Sequence, residues 1–320
     1  MDFTDKFDHA QSPHFLEDCP KWKMLNTNLT LQGHSIAGER TGFMIPELCM
    51  FLDGGMNSYR KINSMLLTHG HSDHSHNISC VATDMGEDIS NNTFKRPTVY
   101  APIEIEEPIK ISARAGKSLN DGTILDPEDK SDIITVVPVV VGQTFRLFGR
   151  NENTILNIDI LKCIHTVPTL GYLISSISKK LRKDLIGASK EDIKQRRLNG
   201  EQITEEHIIP LFAFMGDTNE QVFEHNPILF QGVPIIIIEC TGVDKKTQPP
   251  DVISSRKHCH WEHLKPIVTL HPEITFVLIH FSRCLKESTI YSIIRESNLP
   301  NVVLWFDSGP VHMAQIINNK

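Results

Sequence analysis

The sequence predicts a single α/β domain in which two mixed sheets are covered by helices on the outside. Short apolar runs joined by tight turns fill the first part of the chain, and strand–helix alternation follows. The composition, with 40% hydrophobic and 22% charged residues over 320 positions, is that of a globular protein and excludes a mainly disordered chain. A closed eightfold barrel is disfavoured, because the early strands lack intervening helices.

The predicted elements follow from local pattern. Runs of β-branched and apolar residues bounded by Gly and Pro are typical of strands, whereas longer stretches with helical periodicity lie between the later runs. The predicted strands cover 29–36, 42–45, 49–52, 62–67, 98–101, 133–141, 155–164, 172–176, 211–215, 235–238, 275–279 and 302–305, and the predicted helices cover 103–117, 179–199, 260–270 and 285–297.

Two segments stand apart from this pattern. Residues 1–26 are polar and have no clear period, which predicts a flexible N-terminal extension before one domain over 27–320. Within that domain, 177–209 is predicted to be a basic insertion, because Lys179–Arg197 holds eight Lys or Arg against three acidic residues. Such a basic insertion can contact an RNA backbone. The alternative interpretation of the same residues is a solvated amphipathic helix.

Charge and cysteine content limit the class of protein. The net charge of −7 argues against a protein that coats nucleic acid by global charge. Seven scattered cysteines form no disulfide framework and suit a reducing compartment. No apolar stretch approaches the roughly 18 residues of a membrane span, and the start lacks the pattern of a signal or transit peptide. We therefore expect a cytoplasmic or nuclear location.

Several apolar runs end abruptly in a residue that can bind a metal or carry a proton. Because the ends of buried strands can share one rim of a sheet, this recurrence predicts a common site. The six residues are Asp53, His69, His165, Asp217, Glu239 and His280.

The strongest motif is His69-Gly70-His71-Ser72-Asp73-His74, directly after the apolar Met65–Leu67. In an extended segment His69 and His71 share one face, so both imidazoles can bind one ion. A turn then brings Asp73 and His74 to a neighbouring position. Zinc favours such ligands, and two ions roughly 3.5–4 Å apart clamp a phosphoryl group. The alternative is a chance His-rich surface loop.

This motif resembles the hallmark of the metallo-β-lactamase superfamily, and the segments that follow resemble ribonuclease Z, the tRNA 3′-processing endonuclease, in its short plant-like form. The matching segments, in order, are 164–172, 180–204, 214–218 and 280–283. The resemblance implies a four-layer αββα sandwich, of mixed α+β and α/β character, with hydrolase activity in the domain over 27–320.

The resemblance also implies two Zn²⁺ ions per chain, although His/Asp sites accept Mn²⁺ or Fe²⁺ as well. One ion is assigned to His69, His71 and His165, and the other to Asp73, His74 and His280, with Asp217 bridging. Two ions lower the pKa of a bridging water, so that hydroxide can attack phosphorus near neutral pH. Asp73 is expected to orient this hydroxide as well as to bind metal.

In the family, a Glu and a His from separate motifs protonate the leaving group. The matching residues are Glu239 and His258, with His260 and His263 as competing histidines nearby. Asp53 matches a supporting position and is not expected to be catalytic. The residues of the basic insertion that are expected to bind substrate are Lys180, Arg182, Lys183, Arg196 and Arg197.

The resulting hypothesis is a zinc-dependent endoribonuclease that removes 3′ trailers from precursor tRNA, leaving a tRNA 3′-hydroxyl and a trailer 5′-phosphate. The resemblance implies a homodimer that binds precursor tRNA, with no membrane partner and no DNA expected. One alternative is a phosphodiesterase of the same fold that acts on small or cyclic nucleotides or other esters. Another is an inactive relative that binds RNA or a protein partner.

Overall fold

The computed structural model describes residues 13–60, 62–80, 97–128, 133–149 and 154–317, whose strands form two eight-stranded sheets. The first sheet has the order β1-β2-β3-β4-β5-β6-β7, with β14 paired to β2. Its strands are β1 (Lys21–Lys23), β2 (Thr30–Ala37), β3 (Arg40–Ile45), β4 (Met50–Leu52), β5 (Ser64–Leu66), β6 (Thr98–Pro102), β7 (Thr135–Val139) and β14 (Phe281–Ser282).

The second sheet is built from the later part of the chain and has the order β16-β15-β13-β12-β11-β10-β9-β8. Pairing is parallel from β11 through β12 and β13 to β15, and antiparallel elsewhere. Its strands are β8 (Thr144–Phe148), β9 (Ile155–Lys162), β10 (Leu170–Leu181), β11 (Thr204–Phe214), β12 (Ile235–Glu239), β13 (Thr275–Ile279), β15 (Val302–Phe306) and β16 (Gly309–His312).

Helices cover the outer faces of both sheets. Ile109 and Ala113 of α2 pack on the first sheet, and Leu264 of α6 and Ile290 of α7 pack on the second. None of the helices in the described ranges is long and apolar enough to span a membrane. The helices are α1 (Ser72–Ser75), α2 (Glu106–Asp121), α3 (Lys190–Leu198), α4 (Val222–His225), α5 (Pro250–Ser255), α6 (Trp261–Leu270), α7 (Glu287–Arg295) and α8 (Met313–Ile317).

The central core lies between the sheets. Phe43 of the first sheet packs edge-on against Phe214 and Trp305 of the second, with ring centroids 6.1 and 5.2 Å apart. Strand β12 shows why its apolar run is continuous: Ile235 and Ile237 face the other sheet, while Ile236 and Ile238 face the helices. This is the predicted αββα architecture, and it brings the carboxyl ends of several strands to one rim.

The N-terminal segment differs from the flexible extension predicted for 1–26. Residues 1–12 lie outside the described residues, but Lys21–Lys23 pair with β2, and Leu16, Trp22 and Met24 are buried. These apolar side chains are separated by polar residues, so the sequence shows no period, yet each one packs into a hydrophobic core of the domain. Residues 13–26 are therefore part of the domain.

The predicted helix over 179–199 is wrong in its first half. Residues up to Leu181 continue β10, and β11 begins at Thr204 rather than at 211, so that the two strands form a long antiparallel hairpin. Within this range Lys183–Leu185 form a 3-10 helix, and the α-helix is confined to Lys190–Leu198. The backbone N–H and C=O groups of this hairpin are paired between its two strands. The periodicity of one segment does not reveal such pairing with another segment. The predicted basic insertion 177–209 is the outer half of this hairpin.

Candidate metal centre

Four side chains from three segments form the first group of potential ligands. Donor atoms of His69, His71, His165 and Asp217 all lie within 4.8 Å of one another. His71 Nδ1 is 3.1 Å from His69 Nε2 and 3.2 Å from His165 Nε2. Neighbouring ligands of a tetrahedral zinc, each about 2.0–2.1 Å from the ion, are separated by about 3.3–3.4 Å. The three imidazoles therefore have the spacing that such an ion requires.

Asp73, His74 and His280 form the second group, again within 4.8 Å. His280 Nε2 lies 3.3 Å from His74 Nε2 and 3.4 Å from Asp73 Oδ2. A third combination, Asp217 with His258 and His280, meets the same distance limit. His258 Nδ1, however, is hydrogen-bonded to Glu239, which makes this third combination the weaker metal site.

The Asp217 carboxylate lies between the two groups. Its Oδ2 is 3.9 Å from both His69 Nε2 and His165 Nε2, and its Oδ1 is 3.3 Å from His74 Nε2. Its Oδ2 is also 3.5 Å from His280 Nε2. The structure thus brings together all seven residues that the sequence analysis assigned to metal binding, with Asp217 in the shared position.

Hydrogen bonds at the opposite ring nitrogen prepare four of these imidazoles for metal binding. In the neutral form of each, the Nδ1–H can donate to a protein oxygen, which leaves the lone pair of Nε2 facing the cluster. The acceptors are Thr68 Oγ1 for His69 (3.0 Å), Asp53 Oδ2 for His74 (2.7 Å), the Lys257 carbonyl for His165 (3.2 Å) and Thr241 Oγ1 for His280 (3.1 Å). The Nε2 atoms that face the cluster are therefore suitable ligands for divalent metal ions.

The backbone around the site is locally constrained. Asp53, Lys257 and His280 have left-handed φ values of 61°, 63° and 59°, which non-glycine residues seldom adopt. Asp53 and His280 follow directly after β4 and β13, and Lys257 presents its carbonyl to His165. Gly55 is required nearby, because a Cβ there would overlap the carbonyl oxygens of Asp73 and Thr41. Such strain is concentrated at functional sites.

Burial and charge set the protonation of the cluster. Burial lowers the pKa of His69 and of His165, so both imidazoles are neutral and can accept a cation. Burial also disfavours a charge on His74, but the carboxylates of Asp217 and Asp53 outweigh it and raise the pKa of His74 well above its usual value. A cation at the second group therefore has to displace the His74 proton.

A carboxylate–histidine pair lies beside the cluster. Glu239 Oε1 is 2.7 Å from His258 Nδ1, and Glu239 also accepts hydrogen bonds from the backbone N–H groups of Thr218 and Cys259. Burial opposes a charge on His258, but Glu239 more than offsets it and raises the pKa of His258 to about 9. His260 is placed differently: it precedes α6, where its Nδ1 accepts the Glu262 N–H. Only His258 pairs with Glu239.

Two threonines complete the site, and the sequence analysis assigned no role to either. Thr68 Oγ1 donates to Asp53 Oδ2 at 3.0 Å and accepts from His69. Thr241 Oγ1 donates to Glu239 Oε2 at 2.6 Å and accepts from His280. Each sheet therefore supplies one carboxylate, one hydroxyl and one imidazole in a chain of hydrogen bonds. Asp53 accepts a hydrogen bond from Thr68 and lies 2.7 Å from His74 Nδ1, and its supporting role stays a prediction.

We expect Thr241→Val to weaken metal binding at the second group by about 10–100-fold, because His280 loses the acceptor that fixes its tautomer. Titration against a competing chelator measures this affinity. Thr241→Ser keeps the hydroxyl and should restore binding, while Thr269→Val, which removes a helix-surface hydroxyl, serves as the matched control. An unchanged affinity in Thr241→Val would contradict the assigned role.

The five predicted substrate-binding residues lie on the β10–β11 hairpin, away from the cluster. Leu181 is 11 residues beyond Leu170, which corresponds to about 35 Å of extended strand. Arg182 pairs with Asp184, and Arg196 pairs with Glu201, whereas Lys180 lies opposite Glu205. Within the described ranges, Lys183 and Arg197 are exposed and have no ion-pair partner within 4 Å.

Solved structures identify the fold. YhfI of Bacillus subtilis, a metallo-β-lactamase fold protein, matches with a TM-score of 0.51 over 82% of this chain and 90% of its own, at 14% identity. No protein-family model matches the chain. The fold is therefore the metallo-β-lactamase fold predicted from the sequence.

Curated sequences make the likeness more specific. Over 260 residues the chain is 27% identical to tRNase Z TRZ1 of Arabidopsis thaliana, which covers 79% of this chain and 85% of the relative. It is 26% identical over 177 residues to nuclear ribonuclease Z of Triticum aestivum, covering 54% of this chain and 90% of the relative. The predicted resemblance is confirmed: the chain is similar to ribonuclease Z proteins over about four fifths of its length.

Proposed function

We propose that the protein is a metal-dependent endoribonuclease that removes 3′ trailers from precursor tRNA, leaving a tRNA 3′-hydroxyl and a trailer 5′-phosphate. The observation that carries this proposal is the 2.7 Å contact of Glu239 with His258 beside seven clustered metal-binding side chains. Such a pair can protonate an alkoxide leaving group, which a ribose O3′ is. The similarity to plant tRNase Z proteins supports RNA as the substrate.

The donor set supports two divalent ions. In this proposal His69, His71 and His165 would hold one, Asp73, His74 and His280 would hold the other, and Asp217 would serve both. Zinc suits these nitrogen and oxygen ligands, and Mn²⁺ or Fe²⁺ would also fit. When bound, such ions supply positive charge to the phosphoryl oxygens and make a nucleophilic water available at neutral pH.

The side chains of the protein position the reactants. Asp73 Oδ2 accepts the Gly38 N–H at 2.9 Å and lies near His280. Although burial opposes it, the hydrogen bond from His280 keeps the pKa of Asp73 below its usual value. Asp73 therefore remains ionised and can accept a hydrogen bond from the attacking water, which orients that water toward phosphorus.

His258 provides the proton for the departing O3′. With its pKa near 9, the imidazole carries both ring protons at neutral pH. Nδ1–H is held by Glu239, so Nε2–H is the proton available to the leaving group. Transfer of this proton to O3′ gives the tRNA 3′-hydroxyl, and the phosphate stays on the trailer.

Single-turnover cleavage of a 5′-labelled precursor tRNA by zinc-replete protein tests the function directly. We expect one cut at or next to the discriminator base, and no cut in Asp73→Ala. If the wild-type protein binds two ions and hydrolyses a bis-aryl phosphodiester but leaves precursor tRNA intact, the tRNA assignment is rejected.

The basic hairpin is proposed to hold the RNA backbone at a distance from the cut. Each phosphate contact releases counterions, so we expect the Lys183→Ala/Arg197→Ala variant to bind precursor tRNA more weakly. The slope of log affinity against log salt concentration should become shallower by about 1–2. A binding titration at several salt concentrations measures the slope, with Lys21→Ala/Lys117→Ala as the surface control. Equal slopes in both variants would exclude the hairpin as an RNA contact.

The homodimer implied by the resemblance is also part of the proposal. In it, one subunit holds the tRNA that the other subunit cuts. Sedimentation of the protein with and without precursor tRNA determines the number of chains per complex.

A further inference from the structure

An open cleft of about 470 Å³ lies beside the metal centre. It is bordered on one side by Pro102 and Val139 at the ends of β6 and β7, and on the other by the segment from Lys162 to Leu170. His165, a proposed metal ligand, is part of its wall. A phosphate held at the metal centre is therefore adjacent to this cleft.

The walls of the cleft are largely apolar and partly exposed. Val140 and Val141 are 46% and 50% exposed, and Pro168 is also exposed. The two valines are held there by a tight turn, in which Gln143 N–H donates to the Val140 carbonyl and Gln143 Oε1 accepts the Val140 N–H. Gly142 has a φ of 83°, as this turn requires. An apolar surface fixed next to a reaction centre favours a flat apolar ligand.

The residues that line the cleft indicate which part of the substrate enters it. His165 lines the cleft, whereas His258, with its ring centroid 4.9 Å from that of His165, does not. A group that extends from the phosphate into the cleft is therefore enclosed by residues that do not include the proposed proton donor. Since that donor serves the O3′ of the tRNA, the group in the cleft belongs to the trailer.

We propose that this cleft binds the base of the first trailer nucleotide, the one that keeps the 5′-phosphate. This inference rests on the proposed function, because it takes the leaving group to lie at His258. The apolar side chains stack on or enclose the faces of the base, and every base has such a face. Two exposed charged residues line the cleft, Lys162 and Glu104, and Lys162 is the one that supplies a cation for the next phosphate of the trailer.

A pair of small esters tests the cleft without tRNA. Thymidine 5′-(p-nitrophenyl phosphate) carries a base on the side that keeps the phosphate, and methyl p-nitrophenyl phosphate carries none; both release p-nitrophenolate. We expect wild-type kcat/KM to be roughly tenfold higher for the thymidine ester, from the apolar area that its base buries. Val140→Asn/Val141→Asn should remove this preference and leave hydrolysis of the methyl ester unchanged.

Val252→Asn is the matched control, because Val252 is 43% exposed on α5 and does not line the cleft. Thermal unfolding of each variant confirms that it is folded. A wild-type protein without preference for the thymidine ester overturns the proposal, as does a preference that survives in the double variant. Precursor tRNA is assayed separately: cleavage without ester preference rejects the cleft alone, whereas ester preference without tRNA cleavage supports the cleft and rejects tRNA as substrate.

Discussion

His258→Ala is expected to slow cleavage of precursor tRNA by about 10²–10⁴-fold, the usual contribution of a general acid. The ribose O3′ is a poor leaving group without a proton, and His258 is the imidazole paired with Glu239. Single-turnover rates at saturating protein measure the effect on the chemical step. Hydrolysis of bis(p-nitrophenyl) phosphate should change little, because p-nitrophenolate leaves without a proton.

His260→Asn is the matched control for this prediction. Asparagine can still cap α6, where His260 now accepts the Glu262 N–H. Its cleavage rate should stay close to that of the wild-type protein. A large loss of cleavage rate in His260→Asn together with normal cleavage by His258→Ala would identify His260 as the proton donor.

The Glu239–His258 pair is expected to determine how the cleavage rate depends on pH. Because Glu239 raises the pKa of His258 to about 9, the protonated acid is present below that pH and is lost as the pH rises through it. Glu239→Gln removes the stabilising charge, so the decline in rate should begin at a lower pH. A pH–rate profile that is identical in the wild type and in Glu239→Gln would contradict this coupling.

Asp217→Ala is expected to have the second large effect, a loss of at least about 10³-fold in activity together with a loss of bound metal. Its carboxylate contacts histidines of both groups, so its removal deprives each proposed ion of a ligand. The missing charge stabilisation corresponds to several kcal/mol, and each 1.36 kcal/mol is about tenfold in rate. Metal content per chain is measured after purification in zinc-replete buffer.

Thermal unfolding gives an independent measure of the same change. Ions that bind only the folded protein stabilise it by about 2.7–4.1 kcal/mol at 100–1,000 times their Kd. Chelation should therefore lower the Tm of the wild-type protein clearly and that of Asp217→Ala only slightly. Asp251→Ala, which removes an exposed carboxylate, should behave as the wild type. Two tightly bound ions in Asp217→Ala would disprove the bridging role.

The proposed ligands could be predicted from sequence because most of them end apolar strands, and strand ends meet at one rim. Thr68 and Thr241 were missed for a physical reason: their roles depend on partners distant in the sequence. Thr68 lies 15 residues beyond Asp53, and Thr241 lies 39 residues before His280. A threonine after a strand is common, and its hydroxyl becomes informative only when the carboxylate beside it is known.

The errors in the fold have a similar origin. Strands β1, β8 and β16 are short and lie at sheet edges, and β14 pairs only with β2 among the described strands, so none has the apolar run that reveals a central strand. The outer half of β10 is polar on an exposed hairpin, and its charged residues also suit a helix. Central strands such as β12 were predicted nearly to the residue, because burial on both sides requires apolar residues throughout.

The division of the ligands between the two sheets has a consequence for the stability of the protein. His69, His71, Asp73 and His74 follow β5 of the first sheet, while His165, Asp217 and His280 follow strands of the second. Neither half of the chain has a complete set of ligands for either proposed ion. In the proposed assignment, tight metal binding therefore requires both sheets to be packed together, so removal of the metal should weaken the association of the two halves of the chain.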